Sequence, residues 1–161
     1  MFIPFSSMPA HARVWIYQAS KELTSAEQHI LTEGLTSFTH QWNVHGNPIE
    51  TSFSIHYNRF IILAANDQVS GCSIDSSVHA MKALAAQIEV DFFNRTEIPF
   101  LKEDRVETYP LAKLKQAFEN GTLAPDSLTF DNQVTTIKDL TENWIIPAKS
   151  SWLKRYLTQA V

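Results

Sequence analysis

Ser52-Phe-Ser-Ile-His-Tyr-Asn-Arg-Phe-Ile-Ile-Leu-Ala-Ala65 holds two kinds of strand and the turn between them. From Ser52 to Tyr57, Phe53, Ile55 and Tyr57 alternate with Ser52, Ser54 and His56, the two-residue period of a strand with one buried face. Asn58-Arg59 can reverse the chain. Phe60 to Ala65 is apolar on both faces, which predicts an interior strand paired antiparallel to the first as a hairpin.

Upstream, Ala12 to Gln18 (Ala-Arg-Val-Trp-Ile-Tyr-Gln) is β-branched and aromatic after Pro9 and predicts another strand. Thr24 and Glu27 have capping-box spacing, so a helix starts there and carries Ile30, Leu31, Leu35, Phe38 and Trp42 on one stripe. His45-Gly46-Asn47-Pro48 reads as a loop. Downstream, Asp75 or Ser76 caps a second helix with Val78, Met81, Leu84, Ala85 and Ile88 on one face, running to about Val90. Thr96 to Leu101 reads as a strand, and Pro99 places it at an edge.

The resulting β-α-β-β-α-β order is that of the ferredoxin-like split βαβ arrangement, an antiparallel four-stranded sheet with two helices on one face. Its core should include Val14, Ile16, Ile30, Leu35, Phe38, Ile62, Val78, Met81, Leu84 and Ile88. Beyond it, Arg105 to Tyr109 is a short strand candidate. Pro110 suits the first turn of a helix with Leu111, Leu114 and Phe118, stopped by Gly121. Leu128 to Phe130 is a further strand; Thr135 or Thr136 opens a helical stretch to Trp144, and Ser150 caps one with Trp152, Leu153, Tyr156 and Leu157. At 161 residues the expectation is one α+β domain, 1–161, in which the extension 102–161 packs on the unit 12–101.

A net charge of −4 opposes a nucleic-acid partner, because affinity for a phosphate backbone comes from clustered Lys and Arg. The longest apolar stretch, Phe60 to Ala65, falls far short of the ~20 residues of a spanning helix. Met1-Phe-Ile-Pro-Phe5 lacks the basic and apolar regions of a signal peptide, and Cys72, the single cysteine, has no internal partner for a disulfide. These features lead us to expect a cytoplasmic protein with no membrane partner. The four glycines, Gly34, Gly46, Gly71 and Gly121, cannot spell a phosphate-cradling loop. The histidines at 11, 29, 40, 45, 56 and 79 have no metal-ligand spacing, although His40 and His45 could meet in space. No cofactor is expected.

The candidate chemistry sits in Ser70-Gly-Cys-Ser-Ile-Asp-Ser-Ser77, after an interior strand and before a helix. A helix N-terminus favours a thiolate at Cys72, and His45, His40 or His79 could act as its base or charge partner. Against this, cysteine is a commonly buried residue, Asp75 is an ordinary cap whose charge opposes a thiolate, and no Lys or Arg adjoins Cys72. The catalytic candidates are thus Cys72, His45 and Asp75, with burial of the thiol the simpler expectation. Trp15, Tyr17, Trp42, Trp144 and Trp152 could line a ligand pocket, but such rings bury enough area that core packing explains them better.

Ala12-Arg-Val-Trp-Ile-Tyr-Gln18, Trp42-Asn-Val-His-Gly46, Ser70-Gly-Cys-Ser-Ile-Asp-Ser-Ser-Val78 and Pro147-Ala-Lys-Ser-Ser-Trp152 together resemble a family of small bacterial proteins often labelled "ABC transporter ATPase". The resemblance runs nearly the whole length. An ATPase of that class needs a Walker A loop, which this chain lacks, so the resemblance implies no activity. Tyr109-Pro-Leu-Ala-Lys-Leu-Lys-Gln-Ala-Phe118 and Gly121-Thr-Leu-Ala-Pro-Asp-Ser-Leu-Thr-Phe130 resemble the helix-and-strand half of GYF-like peptide-binding modules, without their upstream Gly-Pro-Phe and downstream motif. The expected function is a non-enzymatic binding or accessory domain acting on a protein or small molecule. The alternative is a thiol-dependent enzyme or redox-responsive protein using Cys72 with a nearby His.

Overall fold

The computed structural model describes the backbone of residues 1–44, 47–66 and 71–157, and the side chains of all of these except 43, 44 and 71–74. In chain order the regular elements are β1 (Arg13–Gln18), α1 (Ser25–Gln41), β2 (Asn43–Val44), β3 (Asn47–Pro48), β4 (Glu50–His56), β5 (Phe60–Asn66), α2 (Gly71–Ile88), β6 (Glu97–Lys102), β7 (Arg105–Pro110), α3 (Leu114–Glu119), β8 (Leu128–Phe130), α4 (Ile137–Asn143) and β9 (Ile145–Pro147). One antiparallel sheet has the order β1-β5-β4 and a second the order β7-β6-β8-β9, with β2 and β3 forming a short ribbon. The chain is α+β.

The Ser52–Ala65 stretch forms the expected hairpin. β5 is buried from Phe60 to Ala65 and lies between β1 and β4, with Ile62 opposite both Ile16 and Ser54. Because side chains alternate across a strand, β5 feeds two cores. Ile61, Leu63 and Ala65 pack with Tyr17 under Leu31 and Leu35 of α1 and Met81 and Leu84 of α2. Phe60, Ile62 and Ala64 face the other way, against Phe130, Val134 and Trp144. A third core, Phe100, Leu114, Phe118, Leu123 and Leu153, fills the far side of the second sheet. The layers therefore run helices, first sheet, second sheet, then α3 with the 3-10 helix Trp152–Tyr156. At ~1.5–3 kcal/mol per fully buried large apolar side chain, each interface is a substantial share of the folding drive.

Local signals account for much of this. Thr24 Oγ1 accepts from the Glu27 amide and Glu27 reaches back to the Thr24 amide, completing the capping box. Gly34 lets the two helices approach closely, for a Cβ there would lie 2.3 Å from Leu84 Cδ2. Glu103 and Asp104, at φ 49° and 67°, make the two-residue turn that joins β6 to β7, the left-handed geometry that matches strand twist.

Several expectations are corrected. The strand at Thr96–Leu101 does not complete a ferredoxin-like sheet beside β1. That edge is occupied by the later segment around Thr136: the Val14 N–H donates to Thr135 O at 3.0 Å and the Ile137 N–H to Ala12 O at 2.9 Å. The strand, β6, hairpins instead with its neighbour β7 and is interior to the second sheet, not an edge. Pro99 is tolerated because β8 pairs only with Phe100 and Leu101, so the proline faces one backbone neighbour. The first sheet is thus covered on both faces, its second face by the C-terminal extension. α2 begins at Gly71, so Asp75 lies inside the helix and is not its cap. Asn47-Pro48 pairs with Asn43-Val44. The last cap is Ser151, not Ser150, and it opens a 3-10 helix.

Of the ten expected core residues, Val14, Leu35, Ile62, Met81 and Leu84 are buried, and Ile16, Ile30, Phe38, Val78 and Ile88 are half-buried. A chain of side-chain hydrogen bonds ties the two sheets together: Trp144 Nε1 donates to Asn132 Oδ1 at 2.9 Å, Asn132 Nδ2 to Gln18 Oε1 at 3.1 Å, and Gln18 Nε2 to Glu97 O at 3.0 Å.

Candidate functional site

The expected thiol site cannot be assembled from the described geometry. Cys72 lies in the first turn of α2, but its side chain falls outside the described residues, as does the whole of His45. Asp75 and His79 are exposed on α2. His40 is engaged elsewhere: its Nδ1 donates to Thr36 O at 2.7 Å and its ring stacks on Phe2 at 5.5 Å. Among the described residues no group of three or more His, Cys, Asp or Glu could hold a metal ion, and no helix is long and apolar enough to cross a membrane.

The aromatic residues divide sharply. Trp42 packs on Trp15 at 5.4 Å and Phe38 at 5.0 Å, Tyr17 donates to or accepts from Ser77 Oγ at 3.1 Å, and Trp144 lies between the sheets. These rings are core. Burial of Tyr17 pushes its phenol above the usual 10.0, the Ser77 bond opposing this only partly. Trp152 is different: it is 48% exposed.

Among the described histidines, His56 alone is set inside the fold. Its ring meets Trp144 at 5.5 Å and Phe5 at 6.2 Å, both edge-on, and its Nε2 has no hydrogen-bond partner among the described residues. Desolvation by burial holds it below its ordinary 6.5. The folded state therefore binds this proton less readily than the unfolded state. The stability this contributes is fully present above about pH 6.5 and is lost as pH falls from there through the lower folded value. Urea midpoints measured across that window should fall more steeply for the wild type than for His56→Gln; equal slopes would show that burial does not restrain His56.

Tyr156, whose ring meets that of Trp152, lines an open cleft of about 610 Å³ together with Thr96, Pro110, Leu111, Ala112 and Lys115. Pro110 ends β7 and starts the 3-10 turn Leu111–Lys113, as a proline without an amide proton can. The Leu111 N–H donates to Thr96 O at 2.7 Å, while Asn94 Oδ1 accepts from both the Thr96 amide and hydroxyl, so the floor is held by hydrogen bonds. Leu114 and Phe118 anchor α3 below it. The far wall is the 3-10 helix Trp152–Tyr156, capped by Ser151 Oγ accepting from the Leu153 amide and pinned by Leu153, which is fully buried. Trp152 and Tyr156 sit with centroids 6.0 Å apart, and the Arg155 guanidinium lies 5.8 Å from the Trp152 ring.

The cleft holds no nucleophile paired with a base. Its chemistry is contact: apolar walls, the Tyr156 ring and the Lys115 ammonium. Sequence reasoning singled out Trp152, Tyr156, Pro110 and Leu111 but not the cleft. The i, i+4 spacing of Trp152 and Tyr156 was the available signal; nothing local brings Thr96 to Tyr156.

Compared with protein-family models, curated proteins and solved structures, the chain matches none.

Proposed function

We propose that the protein is a non-enzymatic binding or accessory domain whose working surface is this cleft. The observation that carries the reading is an open, apolar cleft walled by Tyr156, whose ring meets the exposed Trp152 on a segment pinned to the core by Leu153. Ligand sites are typically concave, mostly apolar and edged by a few polar groups, and exposed aromatic anchors dominate contact energetics. The local likeness to the helix-and-strand half of GYF-like modules points the same way, since that stretch supplies Pro110, Leu111, Ala112 and Lys115. On this reading the protein is soluble and cytoplasmic, engages a protein or small molecule and not nucleic acid or membrane, and does not hydrolyse nucleotides. The label attached to the family it resembles adds no activity. The first sheet with α1 and α2 is read as a ferredoxin-like split βαβ unit whose fourth position is taken by the segment around Thr136.

Two measurements test the reading. A random peptide display library panned against the immobilised protein should enrich binders that are lost on Ala112→Tyr, a variant of an exposed cleft residue that fills the cleft and should leave the melting temperature unchanged. Titration calorimetry with Mg-ATP should give no saturable heat. Binders indifferent to Ala112→Tyr would remove the cleft from the proposal, and saturable micromolar ATP binding would overturn it.

A further inference from the structure

We infer that the N-terminal segment, residues 1–8, is an acid-released strap over the outer edge of β4, with His56 as its trigger. The strap is held at two points along β4. At the first it adds a short parallel step to the sheet: the Thr51 N–H donates to Met1 O at 2.9 Å, the Ile3 N–H to Thr51 O at 2.9 Å, and the Met1 amine to Ile49 O at 2.7 Å. Phe2 meets the His40 ring there at 5.5 Å and the Phe53 ring at 5.9 Å. Pro4 then takes the chain off the edge, and the 3-10 turn Phe5–Ser7 brings Phe5 edge-on to His56 at 6.2 Å.

Phe5 is the weaker of the two covers on that ring. Trp144, the other, is buried against Phe60 and Phe130, and its indole N–H is bonded to Asn132. No residue of the Phe5–Ser7 turn is buried, and its backbone bonds, Ser7 N–H to Pro4 O and Met8 N–H to Phe5 O, are its own. An imidazolium carries a proton on both ring nitrogens, and the Nε2 of His56 has no acceptor in this enclosure. Nor does a charge stand by to receive that proton. The Met1 amine is bonded to Ile49 O, Glu50 accepts from Asn66, Arg59 donates to Ala19 O and Ser20 O, and Tyr57 is turned onto Phe130 and Trp144. Asp131 accepts from the Gln133 amide and Asp139 from Asn143, Lys138 and Glu142 are exposed, and β5, β8 and β9 carry no titratable residue. Loss of water is the only influence on the proton affinity of the ring.

Protonation therefore needs water at Nε2, and water enters where the cover is thinnest, by lifting Phe5. With Phe5 out, the strap keeps only Phe2 and a few hydrogen bonds at a chain end, which fray. The Thr51 backbone is then free, an edge to which another strand can add. The closed form resists the proton and the lifted form does not. The strap thus stays shut above about pH 6.5 and opens as pH falls below it, by at most about tenfold per pH unit until the lower value of the closed form is passed.

Amide hydrogen exchange of the full chain from about pH 7.5 to about pH 5, corrected for the intrinsic pH dependence of exchange, tests this. The Ile3, Ser7 and Thr51 amides should lose protection as pH falls, while the Ile62 amide of β5 keeps its own. His56→Phe and His56→Gln, which cannot titrate, should keep the strap shut at the acid end, and Phe5→Ala should leave it open throughout. His40 is the other histidine the strap touches; His40→Gln, at an exposed position, should respond as the wild type does. Unchanged strap protection at the acid end would overturn the inference, as would a loss that survives both His56 variants or one that Ile62 shares equally. A response abolished by His40→Gln would remove His56 as the trigger.

Discussion

Replacing Trp144 with alanine is expected to lower the unfolding free energy by about 3–5 kcal/mol, the range for deleting a buried large aromatic side chain. Its ring lies 5.1 Å from Phe60, 5.0 Å from Phe130, 6.1 Å from Tyr57 and 5.5 Å from His56, and only 6% of it is exposed. It is the contact point of both sheets. Removing it leaves a cavity between layers that cannot close without moving a sheet, and it takes the donor from Asn132 in the chain that ends on Glu97. Against a total stability of typically 5–15 kcal/mol, such a loss brings the protein close to unfolding. Urea denaturation measures it, and Trp144→Phe should recover part of the loss. The variant should also flatten the acid dependence assigned to His56, because that ring loses part of its cover. A cost below about 1 kcal/mol would mean that the sheets are held together elsewhere.

Phe100→Ala should cost a comparable ~3–5 kcal/mol, but its consequences differ. Phe100 is fully buried on the outer face of the second sheet, edge-on to Tyr109 at 5.5 Å and to Phe118 at 6.3 Å, in the cluster that includes Leu114 and Leu153. Those two residues hold the opposite walls of the cleft. At a temperature where the variant is still folded, cleft binders should already be lost and the α3 amides should exchange faster. Trp144→Ala, on the other face of the same sheet, should retain binding until it unfolds. If Phe100→Ala binds as the wild type does, the cleft does not depend on this core.

The comparison between expectation and fold turns on particular residues. The alternation from Ser52 to Tyr57, the doubly apolar Phe60–Ala65 run and the Thr24–Glu27 box each predict the element that forms, because each signal is complete within a few residues. Pro110, Gly121 and Thr136 likewise mark real boundaries, with Gly121 at φ 81° and Thr136 Oγ1 accepting from the Asp139 amide. Pro99 misleads for the converse reason. A missing N–H matters only on a side where a neighbour needs it, and which neighbour stands there is a long-range fact. The thiol candidates Cys72 and His45 are legible as residue types in a suggestive order, while a site also requires distances.

By itself, the sequence determined the longer strands and helices and their apolar stripes, since backbone propensity, capping and periodicity act between residues only a few positions apart, whereas the short strands Asn43–Val44, Asn47–Pro48 and Ile145–Pro147 left no such signal. It also determined that no glycine-rich phosphate loop can form. Tertiary structure alone decided that the edge of β1 goes to the segment around Thr136 and not to β6, that the first sheet is buried on both faces, and that Thr96 meets Tyr156 across a cleft. Those outcomes are choices among edges and faces of similar chemistry, made by the total area that the layers bury together.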